Sequence, residues 1–430
     1  TLVKGAPEKV IEMCNLSDSQ KNKIYQNVRK KQENAGRVIC FAHKDADEFS
    51  YDGFAVLYDE IRPEVYNAVK ECKRAGIKIK ILTGDNSSTA LAVARKLKIC
   101  DNESQVINAS EIEKVDDKTL IKMLSKISVI ARSTPMVKLR VVKALKSAGE
   151  VVAVTGDGIN DAPAIKHADV GIAMGKSGSE ITKESADVIL LDDSFSTIVR
   201  AIAFGRNVYK NLQRFILFQL SVNVSALLFI TYSAIVGLET PFNTLQLLWI
   251  NVIMDGPPAL TLGLERSDKN VMNNKPVNRA DSIVSFSMLM RILFNGLFIG
   301  GLLCAQYTLN FLSVKEVEIK SATFTLFIMF QLFNAFNSRE LGGESIFKKL
   351  GNNKIMLLTF FAVFILQILI VQVAYPIFSL SPMCLSTWVK IVMLSSSVIT
   401  VSEIGKVIYK SFIRKKKTQK NTVKKVLLNK

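Results

Sequence analysis

The chain has 430 residues, 49% of them hydrophobic, and its 56 Lys and Arg against 38 Asp and Glu give a formal net charge of +18. This length exceeds one compact domain, and a mean hydropathy of +0.23 is high for a water-soluble protein. The six cysteines lack the spacing of zinc ligands or of a disulfide framework, which argues against both classes. A basic excess in an apolar chain predicts a membrane protein with basic loops on one side or a nucleic-acid-binding protein.

The first residue is Thr1, and the opening TLVKGAPEKV has the pattern of the middle of a domain rather than of a signal peptide. From there to about residue 195, short β-branched runs alternate with helical patterns. FAVLYD precedes a helix predicted from near Arg62, IKIKILTGD precedes another from Asn86, and ISVIARSTP, EVVAVTGD and DVGIAMG repeat this order. The alternation predicts an α/β Rossmann-like domain with a parallel sheet, although the GxGxxG dinucleotide fingerprint is missing from the sequence.

Polar side chains follow three of these predicted strands, where ligands of open α/β sheets bind. Phosphoryl transfer needs a donor for phosphate oxygens, a cation that neutralises charge, and carboxylates that hold Mg²⁺. Thr83, Lys138 and Asp157 supply one of each, although an ordinary acidic turn would explain GDG taken alone. The candidates at the strand ends are Thr83, Gly84, Asp85, Arg132, Lys138, Asp157, Asn160 and Asp161.

From residue 215 the composition becomes apolar, in stretches that approach the roughly 20 residues of a membrane-spanning helix. The six predicted spans are 215–236, 244–264, 288–309, 322–336, 355–378 and 387–408. Basic residues gather after the second, fourth and sixth spans, on the side of the soluble half, as the positive-inside rule requires. Much of the net charge therefore reflects topology, which argues against nucleic-acid binding.

The second predicted span contains LLWINVIMDGPPAL, in which Asn251 and Asp255 stand four residues apart, on one face of a helix. A carboxylate inside a span is costly and indicates a functional site. The Gly-Pro-Pro triplet after Asp255 should break the helix and free carbonyl oxygens, which are hard ligands suited to Ca²⁺. A kinked structural helix with a hydrogen-bonded aspartate is the alternative interpretation.

Three features of the first half resemble the P-type ATPases, whose phosphorylation domain is haloacid dehalogenase-like. They are TGD, the lysine four residues after the threonine of STP, and GDGINDAPAIKHADVGIAMG. KGAPE and the Gly-Arg pair before VICFA resemble the end of that family's nucleotide-binding domain. DEIRPEV resembles the family's DPPRPEV, from which Glu60 and Ile61 depart. The resemblance covers nearly the whole chain and implies ATP as substrate and Mg²⁺ as cofactor.

The same resemblance implies roles for the strand-end residues. Thr83 and Lys138 would contact the phosphoryl group, with Gly84 and Asp85 in the same TGD motif, and Asp157 would be the main Mg²⁺ ligand. Asn160 and Asp161 would support the metal, the phosphate and the attacking groups. Lys4, Arg37 and Arg132 would face ATP, although a surface salt bridge is an alternative role for Lys4 and Arg37.

The family's nucleophile, an aspartate in a DKTGT motif, has no counterpart in this sequence. DKTL at residues 117–120 is a chance similarity because it follows TGD and opens no strand-end turn. The TGES loop of the family's actuator domain and its first four spans are not found either. The sequence therefore predicts the C-terminal part of a pump, unable to turn over ATP by itself.

The membrane half resembles calcium pumps. The sixth span of these pumps is similar to LWINVIMDGPPALTLG, and their fifth span is similar to FQLSVNVSALL. Asn251 and Asp255 would bind Ca²⁺, Asn223 aligns with a family asparagine, and Gln331 lies on the predicted ion path. Where the two-calcium sarcoplasmic type has glutamates, this chain has Ala226 and Gln331, which implies one Ca²⁺ per cycle. A glutamate of the missing fourth span would complete the remaining site.

The subtype stays open at this point. The plasma-membrane type of calcium pump is resembled by GRNVYKNLQRFILFQLSVNV. The secretory-pathway type, which also carries Mn²⁺, is resembled by IMDGPPA and DSIV. Bacterial calcium pumps are resembled by NSRELGGESIF. A plasma membrane is favoured over an organelle membrane. A membrane-tethered phosphatase of the same superfamily, a non-catalytic adaptor, and a Na⁺ or H⁺ pump are the alternatives.

The expected organisation has five parts. They are the end of a nucleotide-binding domain (1–50), the phosphorylation domain (51–195), a stalk (196–214), an all-α transmembrane bundle of six spans (215–410) and a basic cytoplasmic tail (411–430). The tail is a candidate binding segment for anionic membrane lipid or a regulator, with solvated lysines as the simpler interpretation.

Overall fold

The computed structural model describes residues 1–33, 36–45, 48–58, 60–268, 270–341, 344–347, 351 and 353–428. Within these ranges, the side chains of Glu33, Arg37, Asp45 and of residues 409–428 lie outside the description. The chain divides into two compact units. Unit 1 comprises Thr1–Ala203 with Lys269–Ala280, and unit 2 comprises Phe204–Asp268 with Asp281–Lys430.

Unit 1 begins with an antiparallel sheet of three strands, β1 (Leu2–Gly5), β2 (Gly36–Asp45) and β3 (Glu48–Tyr58), in the order β1-β2-β3. Helices α1 (Pro7–Met13) and α2 (Asp18–Glu33) cover it. Residues 54–58 of the FAVLYD run lie in β3 and are therefore antiparallel, whereas the sequence predicted this run in the parallel sheet; Asp59 lies outside the described residues. The connection between β2 and β3 is too short for a crossover, so only antiparallel pairing can form.

The rest of unit 1 contains two parallel three-stranded sheets. In the first, β4 (Ile81–Leu82), β5 (Val106–Asn108) and β6 (Val129–Ala131) follow the order β4-β6-β5. In the second, β7 (Ala153–Gly156), β8 (Val170–Met174) and β9 (Val188–Leu190) follow the order β7-β8-β9. The intervening helices are α3 (Pro63–Arg74), α4 (Ser87–Lys96), α5 (Ala109–Glu113), α6 (Asp117–Leu124), α7 (Pro135–Ser147), α8 (Ala162–His167) and α9 (Glu180–Glu184).

These two sheets confirm the predicted parallel α/β architecture but not a single continuous sheet. Within the described ranges, β4 pairs only with β6, and β7 pairs only with β8. Lys78 and Glu150, which precede β4 and β7, form an exposed ion pair at 2.7 Å. Both β4 and β7 thus keep one edge without a strand partner among the described residues.

The helices of unit 2 are long and apolar. Helix α10 (Phe195–Val236) starts in unit 1 and is followed by α11 (Thr244–Trp249), a π-helical turn (Ile250–Asp255) and α12 (Gly256–Gly263). Four helices complete the unit: α13 (Phe286–Leu309), α14 (Ile319–Ser338), α15 (Lys354–Gln372) and α16 (Leu385–Leu428).

Five helices in the described part of the chain are long and apolar enough to cross a membrane. They are Phe195–Val236, Phe286–Leu309, Glu316–Ser338, Lys354–Gln372 and Leu385–Ile408. The predicted second span, residues 244–264, consists instead of α11, the π-helical turn and α12 in succession. Pro257 and Pro258 lack backbone N–H groups, so the regular hydrogen-bond pattern cannot run through this segment.

Two close contacts organise unit 2. Gly296 and Gly300 of α13 face α10, where an added Cβ would lie 2.4 Å from Val224 Cγ1 and 2.7 Å from Leu228 Cδ2, respectively. Arg339, at the end of α14, forms a bidentate ion pair with Glu265 at 2.8 and 2.9 Å, and both side chains are less than 10% exposed. Buried ion pairs need such full hydrogen bonding to offset desolvation.

Candidate functional site

The TGD turn follows β4 directly. The backbone N–H of Thr83 donates to the carbonyl of Ile130 in β6 at 3.0 Å, which fixes the start of the turn. The Thr83 hydroxyl donates to Asp85 Oδ2 at 3.0 Å and accepts from the Asp85 backbone N–H at 3.1 Å. Asn86 then caps α4 by accepting from Thr89 N–H at 2.8 Å. The turn is therefore closed by its own side chains and presents the exposed Gly84 outward.

The loop between β6 and α7 lies against this turn. Arg132 has a left-handed backbone (φ 53°) and its N–H donates to the Asp85 carbonyl at 2.9 Å, while Ser133 N–H donates to the Thr83 carbonyl at 2.8 Å. The Arg132 guanidinium is half exposed and lies 3.6 Å from Glu8 Oε2 on α1. Backbone contacts thus bring the predicted Thr83, Asp85 and Arg132 together.

Lys138 and Asp161 form the shortest ion pair among the described strand-end candidates. Lys138 Nζ lies 2.5 Å from Asp161 Oδ1, and each side chain is 16% exposed. Lys138 lies in the first turn of α7, which Thr134 caps by accepting from Val137 N–H at 3.3 Å. A Cβ added at Gly156 would lie 2.6 Å from Asp161 Oδ2, so this carboxylate occupies the space that only glycine leaves open.

Asp157 and Asn160 are exposed on the turn after β7. The carbonyl of Asp157 accepts from Ser179 N–H at 2.9 Å, and the carbonyl of Gly158 accepts from the fully buried Thr182 hydroxyl at 2.9 Å. Ser179 also caps α9. Sequence reasoning missed Ser179 and Thr182, although a serine just before a helical pattern is an N-cap signal.

The carboxylates at this edge suit Mg²⁺ by their chemistry. Asp157 is exposed and Asp161 is partly exposed, so a hydrated ion can reach both. Mg²⁺ needs only one or two carboxylates because substrate oxygens and waters supply its other ligands. Groups of three or more His, Cys, Asp or Glu side chains that could hold a metal ion are not found in the described part of the chain.

The residues predicted to face ATP are only partly described. Lys4 is exposed on β1, opposite Phe41 of β2. Arg37 lies in β2 opposite Leu57, and its side chain is outside the described residues.

A further carboxylate, Asp193, fixes the loop after β8. It accepts backbone N–H groups from Gly175 at 2.7 Å, Lys176 at 3.0 Å and Ser177 at 2.9 Å. These hydrogen bonds, that of Lys176 first, lower the pKa of Asp193 to about 2. Its backbone is left-handed (φ 51°), and sequence patterns did not reveal its contacts with this loop.

In unit 2, Asp255 ends the π-helical turn and is 3% exposed. Its Oδ2 accepts from Gln219 Nε2 on α10 at 2.6 Å, and its Oδ1 has no hydrogen-bond partner. Asn251 is exposed although Asp255 is buried, so the two side chains predicted to share one helical face lie in different environments. The structure thus joins Asp255 with Gln219, which sequence reasoning missed.

The other predicted ion-path residues, Gln331 and Asn223, form no hydrogen bond with Asp255 in the described part of the chain. Gln331 on α14 is fully buried, donates to Ser225 Oγ at 2.8 Å, and keeps its Oε1 without a partner. Asn223 on α10 is exposed. Buried polar atoms without partners are rare and indicate strain, function or bound water.

Comparison with known families supports the division into two parts. Residues 2–169 match the model for haloacid dehalogenase-like hydrolases, and residues 138–202 match a second model of that description. Residues 239–408 match the model for the C-terminus of cation transporting ATPases.

Curated relatives match across both parts. Calcium-transporting ATPase 12, plasma membrane-type, of Arabidopsis thaliana is 38% identical over 86% of this chain and 38% of its own length. Calcium-transporting ATPase type 2C member 1 of Mus musculus is 34% identical over 97% of this chain and 47% of its own length. The probable calcium-transporting ATPase 6, plasma membrane-type, of Oryza sativa subsp. japonica is 36% identical over 95% and 43%, respectively. The chain spans less than half the length of each relative.

Proposed function

This chain belongs to the P-type ATPase family, as the sequence predicted, and we propose that it is the phosphorylation and ion-binding part of a calcium pump. The pump would hydrolyse ATP through an aspartyl-phosphate and move Ca²⁺ across a membrane. One observation carries this proposal: the same chain holds the Lys138–Asp161 pair beside Asp157 at strand ends and a buried Asp255 among apolar helices. A soluble phosphatase would have no use for Asp255.

At the phosphoryl site, each group would act where charge develops. The Thr83 hydroxyl and the Gly84 backbone N–H would donate to phosphoryl oxygens, and Lys138 would neutralise their charge. Asp161 would hold Lys138 in place through the 2.5 Å contact. Asp157 and Asp161 would hold Mg²⁺, which supplies further neutralisation of phosphate charge.

The phosphorylated aspartate would come from a segment that this sequence does not include, since no DKTGT motif occurs in it. The strands β4 and β7 support this proposal because each has a single strand partner among the described residues. A parallel strand that pairs with both would end beside Thr83 and Asp157. We therefore propose that this chain alone does not turn over ATP.

The first test is acid-stable labelling of the native protein in membranes from γ-labelled ATP, with Ca²⁺, Mn²⁺, Na⁺ or no added cation. We expect labelling that requires micromolar Ca²⁺. Labelling by Na⁺ alone would overturn the choice of ion. A protein that takes no label under any cation would instead be a membrane-tethered phosphatase or a non-catalytic adaptor.

In the membrane, we propose that α11, the π-helical turn and α12 form one interrupted span, which makes six spans in all. Asp255 and Asn251 would bind a single Ca²⁺ per cycle, because Ala226 and Gln331 stand where two-site pumps carry carboxylates. Asn223 and Gln331 would line the path. A measured Ca²⁺/ATP ratio near one is expected, and a ratio near two would contradict this stoichiometry.

A pump that also carries Mn²⁺ is the second candidate, because the type 2C relative from mouse matches 97% of this chain. Relatives of plasma membrane-type match nearly as much of it, and we propose a plasma-membrane location. Labelling by Mn²⁺ as well as Ca²⁺, together with localisation to an internal membrane, would favour the second candidate. The basic tail would then be tested separately for binding to anionic lipid vesicles and to regulatory proteins.

A further inference from the structure

The carboxylate of Asp255 is only half satisfied in the described structure. The side chain is 3% exposed, Gln219 Nε2 donates to Oδ2 at 2.6 Å, and Oδ1 has no hydrogen-bond partner. Burial of a carboxylate is costly unless hydrogen bonds or a cation compensate its charge. Gln219 is therefore the one described side chain that compensates Asp255 by a hydrogen bond.

Gln219 lies on the same face of α10 as two positions already connected with the ion path. Asn223 follows it by four residues and Ala226 by seven, which is the spacing of one helical face. This face of α10 carries Ala226 where two-site pumps carry a carboxylate, but it also carries the polar Gln219 two turns earlier. That side chain reaches the aspartate across the two helices.

A carboxamide can meet Asp255 in two ways. Its NH₂ group donates to the carboxylate, as in this structure, and its carbonyl oxygen can bind a hard cation. A cation at Oδ1 could leave the hydrogen bond from Gln219 to Oδ2 in place. A rotation of the carboxamide would instead turn the carbonyl oxygen of Gln219 toward an ion at Asp255 and add a neutral oxygen ligand.

We infer that Gln219 is a ligand and a specificity-determining residue of the cation site, which joins Asp255 through its carboxamide oxygen. This inference rests on the proposed function. An added neutral oxygen matters more for Ca²⁺, which takes 6–8 oxygen ligands, than for ions that accept fewer ligands. Gln219 thus favours Ca²⁺ over Mn²⁺ in a site that lacks the carboxylates at positions 226 and 331.

The experiment measures equilibrium binding of Ca²⁺ and of Mn²⁺ to the purified full-length pump, without reliance on turnover. Gln219→Met keeps the length of the side chain but removes both amide atoms, whereas Gln219→Glu keeps an oxygen at the same reach. The control is Gln372→Met on α15, whose Nε2 donates to the Met383 carbonyl at 2.7 Å, away from Asp255. Thermal unfolding of each variant shows whether the fold is retained.

We expect Gln219→Met to weaken Ca²⁺ binding on the order of tenfold or more and Mn²⁺ binding by less. Gln219→Glu should retain Ca²⁺ binding, and Gln372→Met should bind like the parent protein. Unchanged Ca²⁺ binding by Gln219→Met would overturn the inference and leave the proposed pump intact. Equal loss of both ions in the Met and Glu variants would also overturn it, since that pattern indicates a structural role. A parent protein that binds neither ion would overturn the calcium pump together with the inference.

Discussion

Gly156, the last residue of β7, lies against the carboxylate of Asp161. With a 2.6 Å approach to Asp161 Oδ2, a Cβ at this position forces the carboxylate to move. Asp161 is the described partner that holds Lys138. At the scale of single residues, the geometry of the proposed phosphoryl site therefore depends on the absence of a side chain at Gly156 as well as on its charges.

We predict that Gly156→Ala lowers the rate of phosphorylation by ATP about a hundredfold, because a displacement near 1 Å at a reacting group has effects of that order. Gly158→Ala in the same turn is the matched control, since its Cβ would meet Asp161 at an ordinary 3.8 Å. The measurement is the initial rate of acid-stable labelling in the native pump. Equal rates for the two variants would contradict the argument.

Sequence patterns predicted the strand-end positions of the candidate phosphoryl-site residues because TGD and GDGIND combine residue type with strand-end position, and the catalytic roles of these residues stay predictions. Asp255 was found in the same way, as a carboxylate in an apolar stretch. Gln219 was not, because one amide in a span has no motif and its partner lies 36 positions further on. Contacts between distant residues of this kind follow from helix packing, which local patterns do not determine.

Between elements, α13 and α10 approach closely through Gly296 and Gly300. We predict that Gly296→Ala or Gly300→Ala destabilises the chain by about 1–3 kcal/mol, because each added methyl group collides with Val224 or Leu228. Gly301→Ala, where the added methyl meets open space, should stay within about 0.5 kcal/mol. Thermal unfolding in detergent measures both, and equal effects at 300 and 301 would contradict the packing.

The Asp193 carboxylate links β9 to the loop after β8 by three hydrogen bonds. Its pKa falls from 3.8 to about 2 on folding, so its contribution to stability is full above about pH 4 and disappears as the pH falls toward 2. We predict that Asp193→Asn lowers the thermal unfolding temperature at pH 7 and that the difference shrinks between pH 4 and pH 2. A constant difference across this range would show that the charge is not responsible.

Element-scale prediction from the sequence was correct for the parallel strands and for most long helices. It was wrong for FAVLYD, because pairing with β2 across a short connection decided its direction. The sequence-based prediction also missed the π-helical turn, because Pro257 and Pro258 indicate that the helix is interrupted but do not determine the geometry of the interruption.

At the scale of the whole chain, α10 is one helix of 42 residues, about 63 Å long, that begins in unit 1 and ends in unit 2. We propose that it couples phosphorylation to ion release. A Gly-Gly insertion after Gly205 should leave phosphorylation by ATP but reduce transport per ATP, because it interrupts the rod and rotates the C-terminal part of the helix by about 200°.

The control inserts the same pair after Asn102, at the exposed start of a single 3₁₀-helical turn (Glu103–Gln105) in unit 1. Transport and hydrolysis are measured together in sealed vesicles. Transport that stays coupled in the Gly205 insertion would exclude the rod as the coupling element.

The ion pair of Glu265 with Arg339 has an evolutionary consequence. Loss of either partner removes a bidentate contact between opposite charges in a buried site, at a cost of about 3–5 kcal/mol, so a change at one position alone should be selected against. Substitutions at the two positions should therefore be inherited together across related genes, although 74 positions separate them. Lineages that changed one partner and kept the other should be scarce, or should carry a third change nearby that restores neutrality.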